Sequence, residues 1–332
     1  MPCDRPGPTT KADCLNRLWL AMREDERKTG QRFKAVVLHD AEDLVDAREL
    51  DLFDRLIGGH ALVQIPVIPL VDAGSRWIGG HYCDEFAEAH GKDMVVRDAL
   101  GSGVPSAGVG CAIDRAMLGD IAKDRGGRPF HAASLTEDYE LGLRIAERGG
   151  SGRFVRMRDE NGRLIAVRAH FPAKLNQSVR QKTRWVTGIA LAGWDRLGWS
   201  GGFAEHWMRL RDRRAILAAV VLLAAYVALA MLTLLAAIAY FTSAELTPMT
   251  PLFSTLLSIN VGLLGWRLAV RAIFTARSYG WREGLRAMPR AFISNIIAMI
   301  AARRAVTGYL FGNGKQPLWD KTAHVFPENA RA

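Results

Sequence analysis

The chain is poor in cysteine, and the few it has are not arranged for chemistry. Cys3, Cys14, Cys83 and Cys111 lie far apart with no Cys-x-x-Cys pair, which argues against a zinc knuckle and against a disulfide frame. The residues around them do not read as a secretion signal, so free thiols in a reducing compartment, and hence a cytosolic soluble part, are expected. Acidic residues are in the minority, 34 against 44 Lys and Arg, leaving a net charge of +10. No nucleic-acid recognition motif accompanies that excess, and the basic residues gather beside apolar segments, at Arg209, Arg211, Arg213 and Arg214 and again from Arg267 to Arg290. Cytoplasmic flanks of membrane helices carry such charge, so a lipid membrane is the expected partner and nucleic acid is not. Internal repeats and low-complexity tracts are also lacking. A content of 49% apolar and 23% charged residues fits neither a disordered chain nor one wholly embedded in lipid.

Charge of either sign is absent from Ala215 to Phe241. At a helical rise this run measures about 40 Å, more than the roughly 30 Å of bilayer hydrocarbon, and a membrane span is expected over 215–241. A buried core helix of that length would carry polar residues on one face. Thr242 to Pro251 holds no Lys or Arg but two prolines, Pro248 and Pro251, and reads as a short external turn. A second span over 252–274 returns to the basic side, with Arg267 and Arg271 snorkelling or lying at the interface. The apolar run 288–302 is interrupted by Pro289, Arg290, Ser294 and Asn295 and ends at Arg303-Arg304. An interfacial amphipathic helix suits it better than a third span. The expected division is a cytosolic domain over 1–200, a membrane region over 201–311 and a cytosolic tail over 312–332.

Upstream of the apolar runs the pattern alternates between strands and helices, as in an α/β domain. Phe33–His39 is a β-branched-rich run, followed by helical spacing at Leu50, Phe53, Leu56 and Ile57 that stops at Gly58-Gly59. Ala61–Val67 reads as another strand, bounded by Pro66 and Pro69. Ser134-Leu135-Thr136-Glu137 has the form of a capping box, which places Glu137 and Asp138 in the first turn of a helix running to Gly149-Gly150. Segments 153–159 and 163–169, joined at Asn161-Gly162, predict a hairpin. Over 176–192 a helix is predicted on which Gln181, Arg184 and Trp185, at i, i+3 and i+4, share one face.

Three polar clusters stand out, in order: His39-Asp40-Ala41-Glu42-Asp43, Thr136-Glu137-Asp138 and Gln181-Lys182-Thr183-Arg184-Trp185. Carboxylates after a strand, here Asp40 and Glu42, lie where open α/β sheets bind ligands, at the carboxyl edge of a parallel sheet. As hard oxygen donors they suit Mg²⁺ or Mn²⁺; equally, acidic residues there mark a helix start. Asp138 is positioned either as a general base or as a first-turn carboxylate favoured by the helix dipole. Arg184 can pair with a diphosphate in a fork geometry, and Trp185 offers a flat face to a sugar ring. The alternative is an amphipathic surface helix with a membrane-belt Trp, as nearby Trp194, Trp199 and Trp207 also suggest. Lys11, in Pro8-Thr9-Thr10-Lys11-Ala12, read by itself is simply a solvated lysine. Gly101-Ser102-Gly103 and Gly108-Val109-Gly110-Cys111 lack the Gly-Lys-Ser/Thr of a P-loop, which argues against nucleoside triphosphate hydrolysis.

These motifs, in this order and ahead of membrane helices, resemble those of the processive inverting family 2 glycosyltransferases, which include cellulose synthase. The His39–Asp43 form is most similar to the phage adsorption protein B type within that family. The resemblance implies a partial GT-A domain followed by transmembrane helices in the inner membrane, with the catalytic part cytosolic. It implies transfer of a sugar from a nucleotide-sugar donor to a glycan acceptor. Asp40 and Glu42 would hold a divalent metal, Mg or Mn, although many relatives have Asp at the second position. Asp138 would be the base, with Lys11, Glu137, Gln181, Arg184 and Trp185 binding substrates. The glycine stretches match a small-residue segment that contacts the acceptor. The spans would form part of an export path, with export or outer-membrane proteins as further partners. Trp319–His324 resembles a tail segment of the same type. Only ten residues precede Lys11, so the first nucleotide-binding half of the family domain is expected to be absent. A non-catalytic component of a polysaccharide or phage-receptor assembly is the rival expectation.

Overall fold

The computed structural model describes residues 9–243 and 248–312; the tail motif at 319–324 lies outside them. Among the described residues six strands are formed: β1 (Ala35–Leu38), β2 (Leu62–Gln64), β3 (Val67–Pro69), β4 (Cys111–Asp114), β5 (Gly152–Phe154) and β6 (Val167–Ala169). Four make one sheet in the order β1-β4-β2-β5, while β3 and β6 form a separate parallel pair. The sheet is mixed and not the parallel one expected, because β4 runs antiparallel to both β1 and β2. Since β2 is parallel to β5, the strands β1, β2 and β5 still point one way, and the Asp40 cluster follows the carboxyl end of β1.

Alternation along the strands sets the two faces of this sheet. Leu62 and Ile113 point to one side, where Leu38 joins them with Trp19 of α1 (Lys11–Thr29). Their neighbours Val63 and Ala112 point to the other, against Leu52 and Phe53 of α2 (Glu49–Leu56). Each such buried side chain contributes about 1.5–3 kcal/mol. Then come α3 (Gly80–Glu88), a π-helical turn at Ala89–Asp93, α4 (Met94–Ala99), α5 (Arg115–Lys123) and α6 (Glu137–Glu147).

Local chemistry accounts for three departures from the predicted elements. Pro66 has no N–H to offer a ladder, so the predicted strand 61–67 splits there and the chain changes sheet into β3. The turn at Asn161-Gly162 forms, with the Asp159 N–H donating to Arg163 O at 2.8 Å and the Ile165 N–H to Met157 O at 2.9 Å. Its arms then diverge, because β5 pairs with β2 and β6 with β3. The capping box also falls short: Ser134 Oγ accepts the N–H of Thr136 at 3.2 Å, one residue before the helix.

α7 (Leu175–Val186) continues through a π-helical turn, Thr187–Leu191, into α8 (Ala192–Leu197), and α9 (Phe203–Arg213) follows. α9 docks by its charged side. Asp212 takes two bonds from Arg97, at 2.8 and 3.0 Å, and one from Tyr139 at 2.7 Å, while Phe203, Trp207 and Leu210 face outward.

Three helices long and apolar enough to cross a membrane complete the described chain: α10 (Ala215–Thr242), α11 (Pro251–Tyr279) and α12 (Trp281–Phe311). The last is much longer than the 288–302 segment expected and runs through Pro289. The polar residues that interrupt its apolar run face the protein. Arg290 and Ser294 sit on a buried stripe with Ala287, Ile297, Ala301 and Ala305, and Asn295 donates to the Tyr226 hydroxyl of α10 at 3.2 Å. The arginines of α11 likewise find acids. Arg267 meets Glu88 at 2.5 Å, and Arg271 meets Asp84 at 3.4 Å, both on α3. Arg290 reaches the same Asp84 at 2.7 Å, through space where a Cβ on Gly80 would lie 2.4 Å from its Nη1. Arg271 is thus buried against α3 instead of snorkelling, whereas Arg267 stays exposed in its ion pair.

Candidate active site

The three polar clusters open onto one cavity of about 940 Å³. Each arrives from a different element: the Asp40 loop from β1, Glu137 and Asp138 from the first turn of α6, and Gln181, Arg184 and Trp185 from one face of α7. Lys11 begins α1, whose start is fixed by a capping box in which Thr10 Oγ1 accepts the Asp13 N–H at 3.1 Å and Asp13 Oδ2 accepts the Thr10 N–H at 3.0 Å. Its Nζ donates to Asp40 Oδ1 at 2.5 Å and to Gly108 O at 3.4 Å. Burial disfavours the lysine's charge, but Asp40, Asp138 and Glu137 outweigh it and hold the pKa above its ordinary value.

The Asp40 loop is braced from behind. The Asp40 N–H donates to Asp43 Oδ2 at 2.9 Å, and His39 lies between Asp43, at 3.6 Å, and the fully buried Glu49, at 2.5 Å. Those two carboxylates, Asp43 first, raise the His39 pKa to about 9. Asp40 and Glu42 both line the cavity. Among the described residues no three His, Cys, Asp or Glu side chains converge as a ready-made metal cage.

Asp138 accepts the N–H of Tyr139 at 2.8 Å and lies over Gly108. A Cβ at Gly108 would stand 2.4 Å from Asp138 Oδ2, and its φ of +74° is one that favours glycine. Burial, opposed by Lys11 and Arg184, raises the pKa of Asp138; burial and then the charge of Asp138 raise that of Glu137. Two adjacent carboxyls thus both have raised pKa values, which makes a better proton acceptor of whichever is ionised. On the facing wall, Gln181 Oε1 is buried with no hydrogen-bond partner, as is Thr136 Oγ1 beside the acids. Unsatisfied polar atoms of this kind cost about 1–3 kcal/mol each unless a ligand meets them. Trp185 stands edge-on to Tyr82 at 6.2 Å, and Phe86 and Phe171 complete an aromatic end of the cavity.

Eight side chains given roles from the sequence line this cavity: Lys11, Asp40, Glu42, Glu137, Asp138, Gln181, Arg184 and Trp185. Of the two glycine stretches expected to contact an acceptor, only Val109 lines it, and the Gly103 N–H is taken by Glu205 at 2.8 Å. The sequence reading missed Gln64. Its buried amide donates to Val109 O at 2.9 Å and Gly110 O at 3.1 Å and accepts the Ala107 N–H at 2.8 Å, which shapes the turn under Asp138. A polar residue inside an otherwise apolar strand was its one signal.

The profile of the glycosyl transferase family group 2 matches residues 35–241, the stretch that carries all three clusters. The chain belongs to this family. It is 38% identical over 347 aligned positions to bacteriophage adsorption protein B of Escherichia coli K12, covering 98% of this chain and 47% of that protein. Bacteriophage N4 adsorption protein B of Escherichia coli O157:H7 is similar to the same degree and over the same shares. The chain thus spans about half the length of the curated relatives it matches. Family membership carries the GT-A fold with it, and three long apolar helices follow the three polar clusters.

Proposed function

We propose that the chain transfers a sugar from a nucleotide-sugar to a glycan acceptor with inversion, working from the cytosolic side of the inner membrane. The observation that carries this reading is the meeting of the acid pair, Lys11 and the Gln181–Trp185 face in one cavity. An acceptor hydroxyl is a poor nucleophile until its proton leaves. Asp138 takes that proton, the oxygen attacks the anomeric carbon, and the nucleoside diphosphate departs with the bonding electrons from the opposite side. One base suffices for such a single displacement. Arg184 pairs with the diphosphate, Lys11 adds positive charge beside it, and Trp185 with Gln181 receives the acceptor.

Asp40 and Glu42 fit a divalent metal by their chemistry: both are hard oxygen donors on the cavity wall. Two carboxylates leave most of a coordination shell to phosphate oxygens and water, which is how Mg²⁺ is commonly held. When bound, Mg²⁺ or Mn²⁺ supplies charge to the leaving diphosphate. The spans are proposed to line an export route toward further envelope proteins.

The test is release of nucleoside diphosphate from a panel of nucleotide-sugars, by membranes carrying this chain, with Mg²⁺ or Mn²⁺ and with EDTA. Asp138→Asn is expected to abolish turnover while donor binding persists. The relatives' names favour a second reading: a non-catalytic component of an adsorption assembly. A folded chain that turns over no donor supports that one.

A further inference from the structure

We propose that Lys182, pinned by Glu85, is a positioning residue that holds the Trp185 indole at the cavity wall and ties it to α12. The inference rests on reading that cavity as the acceptor site. Lys182 is the second residue of the Gln-x-x-Arg-Trp motif and precedes the indole by three residues on α7. Its ammonium lies 4.8 Å from the ring centre of Trp185 and 5.0 Å from that of Tyr82, between two aromatic faces. A cation so placed is attracted to both rings. It is kept there by an ion pair with Glu85 of α3, whose other carboxylate oxygen accepts the Ser294 hydroxyl of α12 at 2.9 Å.

An exposed lysine–glutamate pair contributes little and tolerates many geometries. This pair is different, since the lysine side chain is 15% exposed and its Nζ is fixed by a carboxylate on one side and rings on the others. Burial works against the Glu85 charge, but Lys182 prevails and brings the Glu85 pKa down to about 2, so this carboxylate stays ionised throughout the working range. A line of contact therefore runs from α12 through Ser294, Glu85 and Lys182 to the indole.

The experiment uses the full chain in detergent micelles, labelled with fluorotryptophan, with the Trp185 resonance assigned by Trp185→Phe. Glu85→Gln and Lys182→Met should shift that resonance and leave the other tryptophan lines in place. They should also raise the acceptor KM about three- to tenfold, the range of one cation–π contact, with the donor KM unchanged. Lys182→Arg should restore both. Ser294→Ala should move the resonance in the same direction by less. A Trp185 line that does not move in Lys182→Met, or donor and acceptor KM that rise together, overturns the proposal. If the wild-type chain turns over no donor, the transferase reading falls, and the fluorine resonance still decides whether the pair positions the indole.

Discussion

Replacing Arg290 by Met should destabilise the junction between α3 and α12 in a way that depends on pH. Asp84 is fully buried beside the guanidiniums of Arg290, at 2.7 Å, and Arg271, at 3.4 Å, and its hydroxyl partner Thr275 is at 3.3 Å. Burial pushes its pKa from 3.8 up to about 6, the two arginines pulling the other way. A raised carboxyl pKa favours the fold below the unfolded value of 3.8, and that contribution is lost as pH rises through about 6. In Arg290→Met the folded pKa rises further, so Asp84 remains protonated where the wild type has ionised. The two proteins diverge only above pH 6, by about 1.4 kcal/mol for each pH unit. To this is added a pH-independent loss of roughly 1–3 kcal/mol, since Arg290 also donates to Glu283 at 2.7 Å and to Arg76 O at 3.1 Å. Hydrogen exchange of the α3 amides, which reads local opening, measures the difference between pH 5 and pH 8. Asp84→Asn combined with Arg290→Met should remove the slope. A destabilisation that is flat with pH in the single variant refutes the reasoning.

Because burial raises the Asp138 pKa and Lys11 opposes it, the acid limb of kcat/KM should lie above the ordinary carboxylate range. Lys11→Met should move it higher still; a limb that moves down would remove Lys11 from the site's electrostatics. Gly108→Ala forces a side chain into a positive φ and onto Asp138 Oδ2. It should cost about 1–2 kcal/mol of stability in thermal unfolding and lower kcat at least as much as a tenfold loss, roughly 1.4 kcal/mol of barrier. Removal of divalent cations by EDTA should stop turnover and restoration of Mg²⁺ or Mn²⁺ should recover it, whereas Glu42→Gln should raise the cation concentration needed for half-maximal rate. Gln64→Leu keeps the strand's apolar volume but strips the turn at Ala107–Gly110 of its bonds. A fall in kcat with little change in donor KM is expected from steady-state kinetics.

What was legible in the sequence is whatever repeats locally. The spacing of Gln181, Arg184 and Trp185 put them on one face of α7, and the run of acids after β1 put Asp40 and Glu42 at a strand end. What was not legible acts across distance in the chain. The direction of β4 cannot be read from Cys111–Asp114 alone, because a strand's own pattern is the same for either neighbour. Pro66 was visible, but whether it ends a strand or passes the chain to a second sheet depends on β6, which is 100 residues away in sequence. Arg267 and Arg271 looked like interfacial charges because no acid lies near them in sequence, and Arg290 has only Glu283 close by. Their partners Glu88 and Asp84 lie on α3, where a single acid on an amphipathic helix carries no signal of its own.

Those pairings bear on how the membrane helices relate to the site. An uncompensated charge at the Asp84 position costs several kcal/mol, so α3 cannot slide along α11 and α12 without exposing or unpairing it. The same helix carries Glu85, paired with the Lys182 that lies over the Trp185 ring, and Phe86, on the cavity wall. The aromatic end of the cavity is therefore held in register with α11 and α12, while the carboxylate end is built by the loop after β1, by α1 and by α6. An acceptor seated on the aromatic end would keep a fixed position relative to the spans whatever happens at the nucleotide. That is the arrangement a transferase needs if the chain it lengthens is to leave along those same helices.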